Sequence, residues 1–159
     1  MSASKTIKLM KEKEVEYVDL RFTDPRGKLQ HLTMDGKMVD EEMLNDGVFF
    51  DGSSIAGWKA INESDMILKP DLERQVIDPF TSHNTLIIFC DVLDAIKKDP
   101  YERDPRSIAK KAEAYLKKTG IGDKAFFGPE AEFFVFNIIK NEKFCFRTKI
   151  SFVTNTCFF

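Results

Sequence analysis

Glu130 and Glu132 stand two residues apart in Phe126-Phe127-Gly128-Pro129-Glu130-Ala131-Glu132-Phe133-Phe134-Val135-Phe136, a run that is otherwise apolar. If the run is a strand, alternate side chains share a face, and the two carboxylates aim at one place with Cα atoms about 6.7 Å apart. An ionised carboxylate among apolar groups is costly unless it is paired or binds a metal, and a strand this rich in Phe and Val is expected to bury a face. Carboxylate oxygens so placed suit a hard divalent cation such as Mg²⁺ or Mn²⁺. The same alternation also describes an edge strand with a wet polar face. A third carboxylate, Asp51, follows Phe49-Phe50 and precedes Gly52-Ser53-Ser54. Exposed on a loop held by a rigid scaffold, it could attract an ammonium ion and accept its proton as a general base. Asp-Gly-Ser is more commonly the chemistry of an Asx turn, in which the carboxylate binds the amide of Ser53 or Ser54, and from the residues alone the turn is the favoured reading.

These residues need elements to hold them. Val15 to Phe22 reads as a strand, Asp24-Pro25-Arg26-Gly27 as a turn, and Lys28 to Met34 as the returning strand of a hairpin. Val39 to Leu44 is a short helix with Gly47 as its cap, and Val48 to Phe50 resumes extended structure. Met66 to Lys69 and Gln75 to Ile77 are further strands, broken by Pro70 and Pro79, and Thr85 to Val92 is the longest apolar strand. A strand hairpin, a helix and more strands follow one another in the order of a β-grasp domain. Lys97 to Arg103 carries the charge and proline of a linker, so a domain boundary is placed near residue 103. Asp104 is then an N-cap with Pro105 at the first helical position, and Ile108, Ala112, Tyr115 and Leu116 recur at helical spacing up to Gly120. That helix leads into the acidic strand.

Composition narrows the partners. The 159 residues are 43% hydrophobic and 31% charged, which describes a globular chain long enough to bury a core. A net charge of −2 gives no electrostatic footprint for nucleic acid or for an anionic membrane surface. Small molecules or proteins are therefore the expected partners. The polar N-terminus, Met1-Ser2-Ala3-Ser4-Lys5, and the lack of a long apolar run argue for a cytoplasmic protein with neither signal peptide nor membrane span. Cys90, Cys145 and Cys157 are odd in number and widely spaced, which suits reduced thiols, and His31 and His83 read as isolated surface or strand residues.

Phe49 to Trp58 together with Ile61-Asn62-Glu63-Ser64-Asp65-Met66 resembles the signature of bacterial type I glutamine synthetase, and Gly128-Pro129-Glu130-Ala131-Glu132 resembles the first metal-ligand strand of those enzymes. The resemblance extends from about Lys8 to Phe136, through Phe22 to Lys28 and Asp104 to Ala109. It implies an α+β chain: a β-grasp N-terminal domain over residues 1–103, then the start of a catalytic domain over 104–159, family-like to about residue 136 with a divergent tail from 137 to 159. It implies a ligase that phosphorylates the side-chain carboxylate of glutamate with ATP and lets ammonia displace the phosphate, giving glutamine. By the same resemblance, Glu132 matches a ligand of the metal nearer glutamate and ammonia. Glu130 matches a ligand of the metal at the ATP phosphates. Asp51 and Ser54 match the ammonium site, and Asp65 matches a position that organises a subunit contact, where Trp58 could also pack; a plain core tryptophan is the equal alternative. The implied assembly is a homo-oligomer of two hexameric rings, with Asp51 serving the site of a neighbouring subunit.

The family's enzymes are much longer, and the chain closes at Phe159 without their further ligands or nucleotide pocket. Two glutamates do not complete two hard-cation shells, so the isolated chain is expected to be inactive. Its tail, Phe144 to Phe159, is β-branched and aromatic with little charge, and is expected to aggregate without sheet partners. Two other readings compete. One is a non-catalytic β-grasp module that binds a protein or small ligand; the ordered presence of both signatures argues against it. The other is a γ-glutamyl ligase acting on a different amine, against which the ammonium-site loop argues.

Overall fold

The first strand pair forms where alternating apolar residues meet turn chemistry. In β1 (Tyr17–Thr23) Val18, Leu20 and Phe22 are buried on one face, and Asp24 closes the turn by accepting from the amides of Arg26 and Lys28, both at 2.9 Å. Gly27, at φ +83°, completes the turn into β2 (Leu29–Asp35), which pairs antiparallel with β1 from Tyr17↔Asp35 to Thr23↔Leu29. The computed structural model describes residues 1–59, 64–130, 138–144 and 147–153, which fall into two units, Met1–Lys124 and Ala125–Phe159.

The first unit opens with a helix that the sequence reading did not place, α1 (Ala3–Glu12), capped by the Ser2 hydroxyl. Its buried residues Ala3, Thr6 and Met10 recur at helical spacing beneath a Lys-rich surface. After β2 come α2 (Glu41–Asp46), capped by the Asp40 carboxylate on the Met43 amide at 2.8 Å, and β3 (Val48–Asp51). Gly47 joins them at φ +90°. β4 (Asp65–Ile77) and β5 (Thr85–Asp94) are antiparallel neighbours. The expected break at Pro70 does not occur. Pro70 lies within β4 opposite Cys90, and the pairing resumes at Gln75↔Ile88 after a shift in register, so a bulge absorbs the missing donor without ending the strand.

The sheet order is β2-β1-β5-β4-β3, with β5 returning parallel to β1 from Tyr17↔Thr85 to Arg21↔Phe89. A hairpin, a helix on one face and a last long strand inserted beside the first make this a β-grasp arrangement. Residues of α1 and α2 and the inward faces of β1, β4 and β5 share one core, including Met10, Leu44, Val18, Leu20, Met66, Leu68, Leu86, Ile88 and Val92. On the other face of β1, Asp19 is buried beneath Arg21, His31 and Thr33, all of which contact its carboxylate.

Residues 97–103 form a structured connection. Leu93 bridges Pro100, the Tyr101 amide donates to the Val92 carbonyl at 2.8 Å, and buried Asp104 caps α3 (Pro105–Thr119) at Ser107. Gly120 ends that helix in the left-handed conformation, as its position in the sequence suggests. Of the apolar positions at helical spacing, Ile108 is 54% and Tyr115 69% exposed, and Leu116 is half-buried. α3 is tied to the sheet by charge instead, with Arg106 bridging Asp71 of β4 and Asp91 of β5, and Lys110 joining Asp91. In the second unit, β6 (Ile138–Phe144) and β7 (Arg147–Val153) pair antiparallel from Ile138↔Val153 to Phe144↔Arg147.

Candidate functional site

The loop after β3 is built from beneath by aromatic rings. Phe22 lies 5.2 Å from Phe50 and 5.6 Å from Trp58, and Trp58 meets Tyr101 at 5.7 Å in edge geometry. Trp58 is only 5% exposed, so it is a core residue of this unit. The loop backbone is held from the other side as well: the Tyr101 hydroxyl donates to the Trp58 carbonyl at 2.9 Å, and Arg103 donates to the Gly57 carbonyl at 2.8 Å. Lys59 then reaches Asp94 at the end of β5, at 2.8 Å.

Asp51 ends β3 on this scaffold and is exposed. Its Oδ1 accepts from the Ser53 amide at 2.8 Å and from the Ser53 hydroxyl at 2.6 Å. The Asx-type turn weighed in the sequence is therefore present, and it holds the carboxylate without covering it. The hydrogen bond from the Ser53 hydroxyl, then that from its amide, with a further one from the Ser64 hydroxyl, lower the Asp51 pKa below the ordinary carboxylate value. Ser54 stands exposed at the end of the short turn Gly52–Ser54, next to that pair. The sequence offers the amides of Ser53 and Ser54 as alternatives for this turn, and the structure selects Ser53, whose hydroxyl joins its amide on the same carboxylate oxygen.

Gly52 fixes the turn on the sheet. Its amide donates to the Ser64 carbonyl at 2.7 Å, and a side chain there would run into Met66. Asp51 also pairs across the ladder with Asp65, itself exposed. Two like charges opposite one another weaken a ladder, and a cation drawn between or beside them relieves the repulsion.

Glu130 lies in the second unit, exposed, and residues 124–130 belong to no strand. The strand expected across this segment therefore does not include its first half, where Phe126 and Phe127 are 92% and 89% exposed. Glu132, and the remainder of that strand, lie outside the described residues. Among the described residues no group of three or more His, Cys, Asp or Glu side chains is placed to hold a metal ion. Carboxylate is the right donor for Mg²⁺ or Mn²⁺, but the described part of this chain offers one such oxygen donor group at the expected place, Glu130. Among the described residues, too, no helix is long and apolar enough to cross a membrane.

Comparison with known proteins bears on this arrangement from three sides. The family model described as glutamine synthetase, beta-Grasp domain, matches residues 14–95, and that described as glutamine synthetase, catalytic domain, matches residues 102–155. A glutamine synthetase of Rhizobium meliloti (strain 1021) is 63% identical over 139 residues, which are 87% of this chain and 30% of that protein. One of Azorhizobium caulinodans is 60% identical over the same length, again 87% of this chain and 30% of the relative. The chain thus spans about 30% of the length of the curated relatives it matches. In fold it is similar to a Plasmodium falciparum glutamine synthetase solved by electron cryomicroscopy, with a TM-score of 0.74 at 23% identity, covering 96% of this chain and 29% of that one. With the five-stranded sheet, α2 and the loop that follows β3 all accounted for by a β-grasp model covering more than half of the residues, the chain belongs to the glutamine synthetase family.

Proposed function

We propose that this chain supplies the ammonium-facing loop and the first metal carboxylates of a glutamate–ammonia ligase. The observation that carries the reading is Asp51: an exposed carboxylate, held by the Ser53 amide and hydroxyl, opposite a second carboxylate, on a loop that an aromatic cluster holds in place. A fixed anion of this kind binds NH₄⁺ and can take one of its protons, leaving a neutral amine with a free lone pair. In the reaction, a side-chain carboxylate oxygen of glutamate attacks the γ-phosphorus of ATP, and ADP leaves. The ammonia freed at Asp51 then attacks the acyl carbon, and inorganic phosphate leaves as glutamine forms. Ser54 lies beside the amine in this reading.

Glu130 and Glu132 would contribute carboxylate oxygens to divalent cations, Mg²⁺ or Mn²⁺, which offset the repulsion between an anionic phosphoryl group and an anionic carboxylate. The other ligands and the ATP pocket would correspond to the part of the relatives' length that these 159 residues do not match. Asp51 in this reading serves a neighbouring subunit's site, within a homo-oligomer of two hexameric rings in the cytoplasm. The domain boundary near residue 103 belongs to the same proposal, with a β-grasp domain over 1–103 and the start of a catalytic domain from 104.

The test is a chimera in which the 139 matched residues of this chain replace their counterpart in the Rhizobium meliloti glutamine synthetase. Asp51→Asn keeps shape and hydrogen bonding but removes the charge and the base. At saturating ATP and glutamate, with ammonia varied, the rate should fall about 10²–10⁴-fold while the KM values for ATP and glutamate change little. Unchanged turnover and unchanged ammonia KM would return Asp51 to the status of a turn residue.

A further inference from the structure

We propose that Ser53 is a positioning residue for the ammonium-facing carboxylate, its hydroxyl and amide together fixing the direction in which Asp51 presents its charge. The inference rests on the reading of Asp51 given above. Both Ser53 donors converge on Oδ1, at 2.6 and 2.8 Å, so they restrain the carboxylate from rotating about its last bond. The residue between them cannot drift, because Gly52 is packed on Met66 and bonded to the Ser64 carbonyl. Ser53 is thereby locked to the edge of β4, and Asp51 is locked to Ser53.

An exposed aspartate otherwise samples several rotamers and meets its cation only in some of them. Holding the anion in one direction before the cation arrives removes that reorganisation from binding. The same bonds withdraw electron density from the carboxylate. They keep it charged to lower pH, and they make it a weaker base than a free aspartate would be. Ser53 thus favours capture of the cation over uptake of its proton. Loss of the hydroxyl should therefore raise the KM for ammonia more than it lowers kcat.

In the chimera described above, Ser53→Ala is expected to raise the ammonia KM about three- to tenfold, with the KM for ATP unmoved. The acid limb of kcat/KM for ammonia should shift to higher pH. Ser53→Thr, which keeps a hydroxyl on the same carbon, should restore both. Sedimentation checks that the variants assemble, and if the alanine variant does not, Ser53→Cys exchanges the strong donor for a weak one at similar volume and carries the same comparison. An alanine or cysteine variant with unchanged ammonia KM and pH profile, alongside an impaired Asp51→Asn, sinks the role of Ser53 and leaves the role of Asp51 standing. Failure of threonine to rescue also overturns it. If Asp51→Asn is itself silent, the reading of Asp51 fails first and this inference fails with it.

Discussion

At the end of β5 the Asp94 carboxylate accepts from the amides of Ile96 and Lys97, both at 3.0 Å, and from Lys59 Nζ at 2.8 Å. It therefore ties the loop that carries Asp51 to the connection leading into α3. The Lys59 hydrogen bond, then that of the Lys97 amide, pull its pKa from the ordinary 3.8 down to about 2. Because the folded value is the lower one, the stabilisation is complete above pH 4 and is lost as pH falls through about 2. Asp94→Asn should accordingly melt several degrees below the parent at pH 6, and the gap should close as the pH is lowered below 4. Thermal denaturation across that range gives the answer, and a gap independent of pH would mean that the charge contributes nothing. Asp19 follows the same sign for a different balance: burial raises its pKa, and the bonds from Thr33, Arg21 and His31 outweigh that and lower it. Cys90 is fully buried and burial pushes its thiol far up, which agrees with a reduced, unreactive cysteine; Cys145 and Cys157 lie outside the described residues.

Helix α2 turns into β3 at Gly47, and here the backbone leaves no room for a side chain. A Cβ at that position would meet the Leu68 carbonyl oxygen at 2.5 Å and Ile67 Cγ2 at 2.7 Å, at a φ of +90° that other residues avoid. Gly27 has nearly the same φ, +83°, but nothing within 4 Å of such an atom. Gly47→Ala should cost about 2 kcal/mol or more, and Gly27→Ala about 1 kcal/mol, the difference measuring the clash apart from the dihedral. Urea titration of both variants tests this; equal losses would show that β4 moves aside without penalty. The elements most legible in the sequence were those whose signals are local. Alternation and Asp-Pro-Arg-Gly mark β1 and β2, and Asp104-Pro105 with Gly120 brackets α3 at both ends. α1 is hard to read because Lys5, Lys8 and Lys11 hide a narrow apolar stripe, and the continuity of β4 through Pro70 is not local because a bulge is decided by the partner strand. Asp51 was legible as an exposed acid after a strand. Its turn is legible as well, with the Ser53 amide one of two candidates; that the Ser53 hydroxyl joins the same oxygen is a choice of side-chain rotamer that residue types leave open.

As a whole, residues 1–124 contain their own core, from Met10 and Leu44 on the helices to Leu20, Leu68 and Ile88 on the sheet. That segment expressed alone should fold and unfold in one cooperative transition, and Leu68→Ala, at a fully buried position, should cost it about 2–5 kcal/mol. Denaturant unfolding followed by tryptophan fluorescence suits the purpose, because Trp58 is the chain's one tryptophan and it sits in the core. A segment without a cooperative transition would show that its core depends on sequence beyond residue 124.

The parallel seam between β1 and β5 joins Tyr17 to Thr85. On one side of it stands a local hairpin, β1 with β2; on the other, the antiparallel run of β3, β4 and β5. Each half can zip up from short-range contacts, but the seam waits for a loop of nearly seventy residues to close, so it is the slow event. During synthesis β1 leaves the ribosome with one edge paired and the other bare, and it stays so until β5 emerges. The nascent chain therefore passes through an interval in which the backbone edge of β1, a seven-residue strand with Val18, Leu20 and Phe22 on one face, is open to any passing strand, and holdase chaperones should bind it there and release it once Asp94 has cleared the exit tunnel.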